Sequence, residues 1–163
     1  MWSSDDEIQG IDRVKSCIPY MLPLIDGDHF GRFIYNSIPP LGAIDDFFLG
    51  PFVTINRQLP FLSLILFTAF TLGTRFNTDM NRNVRFNAQQ AALIDLALIF
   101  PELIGSSFAG EPLPRALVAS SMNFVWIGYM SLVVYSIYSN LRGKRPDQIP
   151  FISNGADLMV GPF

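Results

Sequence analysis

The sequence predicts an all-α, polytopic integral membrane protein with about four transmembrane helices and an amphipathic segment at the membrane surface. Half of the 163 residues are hydrophobic and 15% are charged, whereas soluble domains carry about a quarter charged residues. Long uncharged stretches recur along the chain, and a bilayer core needs about 20 apolar residues of helix. At this length we expect a single membrane domain, residues 1–163.

The overall charge and the cysteine content exclude several classes of protein. A net charge of −3 gives no reason to expect a nucleic-acid partner. The single cysteine, Cys17, excludes an internal disulfide and any cysteine-based metal cluster. The partner that the composition does predict is the lipid bilayer.

The first third of the chain has an interrupted apolar pattern. Residues 14–38 are mostly apolar but contain the polar sequence DGDH at 26–29. We predict a first span broken at these residues; a re-entrant or interfacial segment is the alternative, because irregular backbone at membrane depth must be covered by protein. Residues 39–57 mix Phe, Leu and Gly with two aspartates, which predicts an amphipathic interfacial segment.

Three further spans are predicted, two of them from uncharged stretches. Residues 58–74 form a stretch of 17 between two arginines, or about 26 Å of helix. Residues 86–104 form the third span, which Pro101 is expected to kink or end. Residues 117–141 form the fourth, a stretch of 25 without charge. Residues 142–163 are predicted to be a tail that forms an ordered loop rather than another span.

The third span carries acids on a face of small residues. At 100° per residue, one helical face contains Ala88, Ala91, Ala92, Asp95 and Glu102. A charge near the bilayer centre costs a few kcal/mol and usually faces protein or water. Two roles for the acid remain open. In the first, the acid lines a polar route or contacts a partner. In the second, it is a structural residue that holds two helices in register.

Other polar residues in the spans are also candidates. Asn87 and Gln90 lie at the start of the third span. An amide at this position is explained by helix capping or by contact with lipid headgroups as well as by contact with a substrate. Ser121 and Gly128 share one face of the fourth span, and small residues allow close helix packing. All four are assigned to a helix-packing or translocation surface.

The loop charges predict the orientation. With four spans, eight basic residues fall in the N-terminal segment, the middle loop and the tail, and three fall in the other two loops. The positive-inside rule therefore places both termini on the cytoplasm-like side.

The chain lacks the usual signatures of catalysis. It has one histidine and no phosphate-binding glycine loop, nucleophile elbow or zinc-protease motif. We predict that it is not an enzyme and expect no cofactor. His29 could ligate a metal or the magnesium of a pigment, although a hydrogen-bonded loop histidine explains it as well.

Four short sequences in order resemble a known family. They are IPYMLPLIDG at 18–27, FGRF at 30–33, VRFNAQQA at 84–91 followed by Asp95, and PFISNGAD at 150–157. Together they resemble the Tic20 family, a subunit of the translocon at the inner chloroplast envelope with cyanobacterial relatives. The resemblance covers nearly the whole chain.

This resemblance implies a function and a location. It implies a four-helix protein of the inner envelope with both termini in the stroma, so that residues 142–163 are stromal. The implied partners are precursor polypeptides and other membrane subunits of the translocon. The alternative is a structural accessory subunit of a photosynthetic membrane complex in the thylakoid, with chlorophyll bound through His29.

Overall fold

The structure, a computed structural model, describes residues 7–162 and is helical through most of that range. No strand occurs among these residues, and one isolated backbone bridge joins Glu7 to Lys144. The all-α prediction is therefore confirmed.

The N-terminal third is a series of short helices. In chain order they are α1 (Asp12–Lys15), a 3₁₀ turn (Ile18–Tyr20), α2 (Met21–Asp26), a second 3₁₀ turn (Asp28–Gly31) and α3 (Arg32–Ser37). Pro19 and Pro23 each remove a backbone donor, which disfavours one continuous helix. The predicted break is present, and within the described residues this segment contains no helix long enough to cross a membrane.

The middle of the chain contains the largest departure from the sequence prediction. Helices α4 (Pro39–Phe48) and α5 (Gly50–Gln58) are followed by α6 (Leu62–Thr68), a π-helical turn (Ala69–Gly73) and α7 (Thr74–Phe76). Within the span predicted over 58–74 the helix begins only at Leu62, and Gly50–Gln58 and Leu62–Phe76 meet at 105°. Pro60 accounts for the break, since it drives Leu59 out of the helical region to φ −116° and ψ 89°.

Two long helices follow. Helix α8 (Arg82–Ser107) starts where the Asn81 side chain accepts a hydrogen bond from the backbone N–H of Asn83. Helix α9 (Arg115–Leu141) follows Pro114. Both are long and apolar enough to cross a membrane, whereas the bent pair counts as a third span only if taken as one unit. The structure thus shows two to three candidate spans where four were predicted. Pro101 lies inside α8 and does not end it.

The N-terminal third runs antiparallel to α9. The Cys17 Sγ lies 3.8 Å from the Ile137 carbonyl oxygen, and a Cβ on Gly31 would lie 2.6 Å from Trp126 Nε1. Ile137 and Trp126 are separated by about 16 Å along α9. The broken segment therefore follows α9 over roughly half of its length.

The tail is not the loop that was predicted. It contains α10 (Ile152–Val160), which packs against α8. Ala156 and Val160 are buried in one cluster with Phe86. The larger core cluster lies between α2, α8 and α9 and includes Tyr20, Ile94, Leu98, Tyr129 and Val133.

Candidate functional site

The first turns of α8 contain buried amides, and the hydrogen-bonded group around them is here called the amide cluster. Its members are Tyr20, Asn87, Gln90, Ser136, Asn140 and Ser153. Both Tyr20 Oη and Asn140 Nδ2 donate to Asn87 Oδ1, each at 2.8 Å. Asn87 Nδ2 donates to the Asn83 carbonyl oxygen at 2.7 Å. Asn87 thereby joins the N-terminal segment to α9.

Gln90 lies at the centre of the amide cluster. Its Nε2 lies 2.8 Å from the Pro146 carbonyl oxygen, 3.1 Å from Tyr20 Oη and 3.3 Å from Ser136 Oγ. Its Oε1 accepts a hydrogen bond from Ser153 Oγ at 2.7 Å. Asn87 and Gln90 are fully buried. They have no exposed surface for headgroups or a passing substrate, and they connect α8 to α9, the N-terminal segment and the tail.

Arg85 and Gln89 make a second set of contacts from the same turns. Arg85 Nε donates to the Thr74 carbonyl oxygen at 2.9 Å, and Nη2 donates to the carbonyl oxygens of Arg75 at 2.7 Å and Val160 at 3.4 Å. Gln89 Nε2 donates to the Thr71 carbonyl oxygen at 2.8 Å. These side chains donate to carbonyl groups of the π-helical turn, of α7 and of the end of α10, where intrahelical donors are lacking.

Sequence reasoning did not find most of these residues. Arg85, Gln89, Ser136, Asn140 and Ser153 were not among the predicted site residues. The available signal was a charged group and three amides within six consecutive positions at the start of an apolar helix.

A second polar region lies further along α8. It is a cavity of about 610 Å³ between α2, α5, α6 and α8, here called the acidic cavity. Its polar lining consists of Asp26, Asp28, His29, Asn56, Arg57, Ser63, Asp95 and Glu102. The cavity therefore combines four carboxyl groups with one guanidinium group.

One wall of the acidic cavity is hydrogen-bonded. Ser63 Oγ lies 2.5 Å from Asp26 Oδ1 and 2.8 Å from Asn56 Oδ1. Asn56 Nδ2 also donates to Asp26 Oδ1, at 3.2 Å. The bend at Pro60 makes this wall, because it turns α6 back so that Ser63 meets α5 and α2.

Asp95 forms the opposite wall. Its Oδ1 is buried and has no hydrogen-bond partner among residues 7–162, and its carboxyl group interacts with that of Asp26. Ala88, Ala91 and Ala92 are buried on the same helical face. The predicted face is thus divided: its alanines pack inside the protein, and its acids, Asp95 and Glu102, line the cavity.

His29 also lies at the acidic cavity. Its Nδ1 lies 3.1 Å from the Asp26 carbonyl oxygen, and its Nε2 lies 3.5 Å from Glu102 Oε1. Both ring nitrogens therefore have polar neighbours. Within residues 7–162, no three His, Cys, Asp or Glu side chains are grouped in a way that would hold a metal ion.

Ser121 and Gly128 lie on the outside of α9. Both are exposed, and a Cβ on Gly128 would meet no atom within 4 Å. They pack against no other helix in the described part of this chain. The buried residues of α9 are instead Tyr129, Val133, Ser136 and Asn140.

A separate polar contact connects α3, α4 and α9 at an apolar groove of about 740 Å³. Trp126 Nε1 donates to Tyr35 Oη, and Tyr35 Oη donates to Asp45 Oδ1, both at 3.0 Å. Burial, followed by the neighbouring Asp28 carboxylate, raises the pKa of Asp45 to about 7. Asp45 therefore remains partly protonated at neutral pH.

Comparison with known proteins agrees with the order of the motifs. Residues 6–156 match the family model described as "Chloroplast import apparatus Tic20-like". The chain belongs to the Tic20 family. The amide cluster and the acidic cavity are both built largely from residues inside this matched region.

Individual Tic20 relatives match over most of their length. The Tic20 family protein of Synechocystis sp. is 31% identical over 159 residues, covering 97% of this chain and 98% of that protein. The Arabidopsis thaliana protein TIC 20-v, chloroplastic, is 29% identical over 157 residues, covering 96% of this chain and 74% of the relative. Protein TIC 20-II, chloroplastic, from the same plant is 31% identical over 153 residues, covering 89% and 70%.

The relatives and the apolar helices together indicate a plastid membrane protein with a role related to protein import. The Tic20 family is a component of an import apparatus and is not known as an enzyme family.

Proposed function

We propose that this chain is a membrane-embedded subunit of the chloroplast inner-envelope import translocon, and that precursor polypeptides pass beside its acidic cavity. The observation that carries the proposal is the position of Asp95. It lies about 20 Å from the start of α8 and about 18 Å from its end. A carboxyl group with an unpartnered oxygen therefore faces a cavity near the middle of a candidate span.

The charge of the acidic cavity suits the segments that direct import. Targeting peptides of chloroplast precursors are rich in Arg and Ser and poor in acids. Four carboxyl groups against one guanidinium group make the lining a favourable surface for cationic side chains. The cavity is also open, since Leu64 and Ile99 in its lining are exposed.

The partners and orientation follow from the same proposal. Other membrane subunits of the translocon would contact the outer face of α9, where Ser121 and Gly128 permit close approach of a helix. Both termini would lie in the stroma, in accordance with the excess of basic residues in the N-terminal segment, the middle loop and the tail.

Site-specific photocrosslinking tests this function. We expect a photoreactive amino acid at Leu64 or Ile99 to capture a precursor arrested during import. The same probe at Phe124, an exposed residue of α9 outside the cavity lining, is the control and should capture lipid or neighbouring subunits. If all three positions capture only lipid while import continues, the precursor does not pass beside the cavity.

A further inference from the structure

The tail follows α8 back into the depth of the protein. Arg82 Nη1, at the start of α8, donates to the Gly161 carbonyl oxygen at 2.8 Å. One turn further, Phe86 shares a buried cluster with Ala156. Further still, a Cβ on Gly155 would lie 3.1 Å from Leu93 Cδ1. Helix α10 is therefore antiparallel to the first turns of α8, and its first residue is its deepest.

The segment before α10 descends along α9 in the same way. The Lys144 N–H donates to the Ser139 carbonyl oxygen at 2.9 Å, and the Gln148 N–H donates to Tyr135 Oη at 3.3 Å. Ile149 is buried in one cluster with Val133. The two limbs form a hairpin whose tip reaches the level of Ile94, about 18 Å from Arg82 along α8.

The tip is a three-residue turn with an unusual central residue. The Ile152 N–H donates to the Pro150 carbonyl oxygen at 2.7 Å, which closes a γ-turn. Phe151 at its centre has φ 63° and ψ −44°. This backbone conformation is strained for a bulky residue. Glycine is the residue that adopts a positive φ at least cost.

The surroundings of Phe151 suggest lipid rather than water. Its side chain is 88% exposed, and Leu158, two turns along α10, is 81% exposed. Transfer of a phenylalanine ring from water to hydrocarbon is favourable, so lipid around the tip would offset part of the backbone strain. Val134 and Leu72, elsewhere on the molecule, are exposed as well.

Backbone groups at the tip of the hairpin are paired within the protein, although the side chains of Gln148 and Asn154 beside it are exposed. Backbone groups in hydrocarbon must be paired within the protein. At the tip, the Ile149 N–H donates to Ser153 Oγ at 3.0 Å, and the Gly155 N–H donates to the Phe151 carbonyl oxygen at 2.9 Å. The charged contacts lie at the other end, where Asp157 is 3.7 Å from both Arg82 and Arg145.

We propose that residues 146–160 form a re-entrant hairpin that enters the membrane from the side on which α8 begins, with Phe151 and Leu158 in contact with lipid acyl chains. The tail would then be part of the membrane domain and not a water-exposed extension. This proposal does not depend on the import function, because it concerns only how the chain sits in a bilayer.

Spin labels in liposomes test the proposal. In a Cys17→Ser background, a nitroxide is attached at Phe151→Cys, Leu158→Cys or Arg142→Cys, and its relaxation is measured with oxygen and with a water-soluble nickel chelate. We expect the oxygen-to-chelate accessibility ratio to be severalfold higher at Phe151 than at Arg142, with Leu158 between them. All three side chains are exposed, so the labels leave the packed core unchanged.

Two results would overturn the hairpin. If the chelate reaches the label at Phe151 as readily as the label at Arg142, the tip is in water. If neither reagent reaches the label at Phe151, protein and not lipid covers it. Purified protein in liposomes of neutral lipid is used so that no other subunit can provide that cover.

Discussion

Replacing Gln90 by alanine is expected to lower the free energy of unfolding by roughly 3 kcal/mol or more, since each buried polar group left without a partner costs about 1–3 kcal/mol. The substitution removes the shorter of two hydrogen bonds to the Pro146 carbonyl oxygen and the nearer acceptor for Ser153 Oγ, which leaves these two groups only their mutual contact at 3.3 Å. It also removes the amide from Tyr20 Oη and Ser136 Oγ. All of these groups are buried where water cannot replace the lost bonds.

The effect should extend beyond Gln90 itself. Its Nε2 also contacts Tyr20 Oη and Ser136 Oγ, so the amide connects three segments that are distant in sequence. Networks of this kind are worth more than their separate pairs when every member is satisfied. We therefore expect the tail to detach from α8 before the two long helices separate.

Unfolding of the purified protein in mixed micelles measures this prediction. Gln58→Ala is the matched control, because Gln58 is an exposed glutamine at the end of α5. Gln90→Ala should unfold at clearly lower denaturant than the wild type, and Gln58→Ala should be unchanged. Equal stability of the two variants would show that the amide cluster does not hold the fold.

Arg85→Met is the second substitution with a large expected effect, about 2–4 kcal/mol, because it leaves carbonyl groups of α7 and α10 without donors. The methionine keeps the length of the side chain but provides no N–H group. Arg85→Lys should be intermediate, since an ammonium group cannot reproduce the planar fork of a guanidinium group.

Hydrogen exchange locates this second effect. We expect the amides of Ala156 and Val160 in α10 to exchange faster in Arg85→Met than in the wild type. Arg75→Met is the control, because the Arg75 side chain is exposed and lies over the Phe76 ring. Unchanged exchange in α10 for Arg85→Met would contradict the role given to Arg85.

The fold was predictable where length and charge decide it. Helices α8 and α9 coincide with two of the predicted spans, and their predicted bounds differ from the observed ones by a few residues. The bend at the start of the predicted span over 58–74 was not predicted, because counting uncharged residues ignores local geometry. Pro60 excludes Leu59 from a helix, and a chain of 17 residues has no length to spare for a bend.

The site was predictable only in part, for a related reason. Helical periodicity correctly placed Asp95 and Glu102 on one face, and both line the acidic cavity. Helical periodicity describes one helix at a time, so it could not predict that Asp26 and Ser63 lie on the opposite wall of the cavity. The hydrogen-bond partners of Gln90 could not be predicted for the same reason. Ser153, for example, follows Gln90 by 63 residues, and no sequence pattern links the two.

We propose that this chain has two polar regions with different tasks: the amide cluster holds the helices together, and the acidic cavity contacts the precursor. Asp95 is the residue at which the two tasks can be told apart, because the sequence alone leaves open whether it packs helices or lines a route. Its carboxyl group faces Asp26, so a neutral amide at this position should fit without loss of stability.

Asp95→Asn, carrying the photoreactive probe at Leu64, is the most direct test. Unfolding and precursor crosslinking are measured on the same variant. We expect its free energy of unfolding to be equal to or above that of the wild type, and the crosslinking yield to fall severalfold. Lower stability with an unchanged yield would contradict this account and make Asp95 a helix-packing residue.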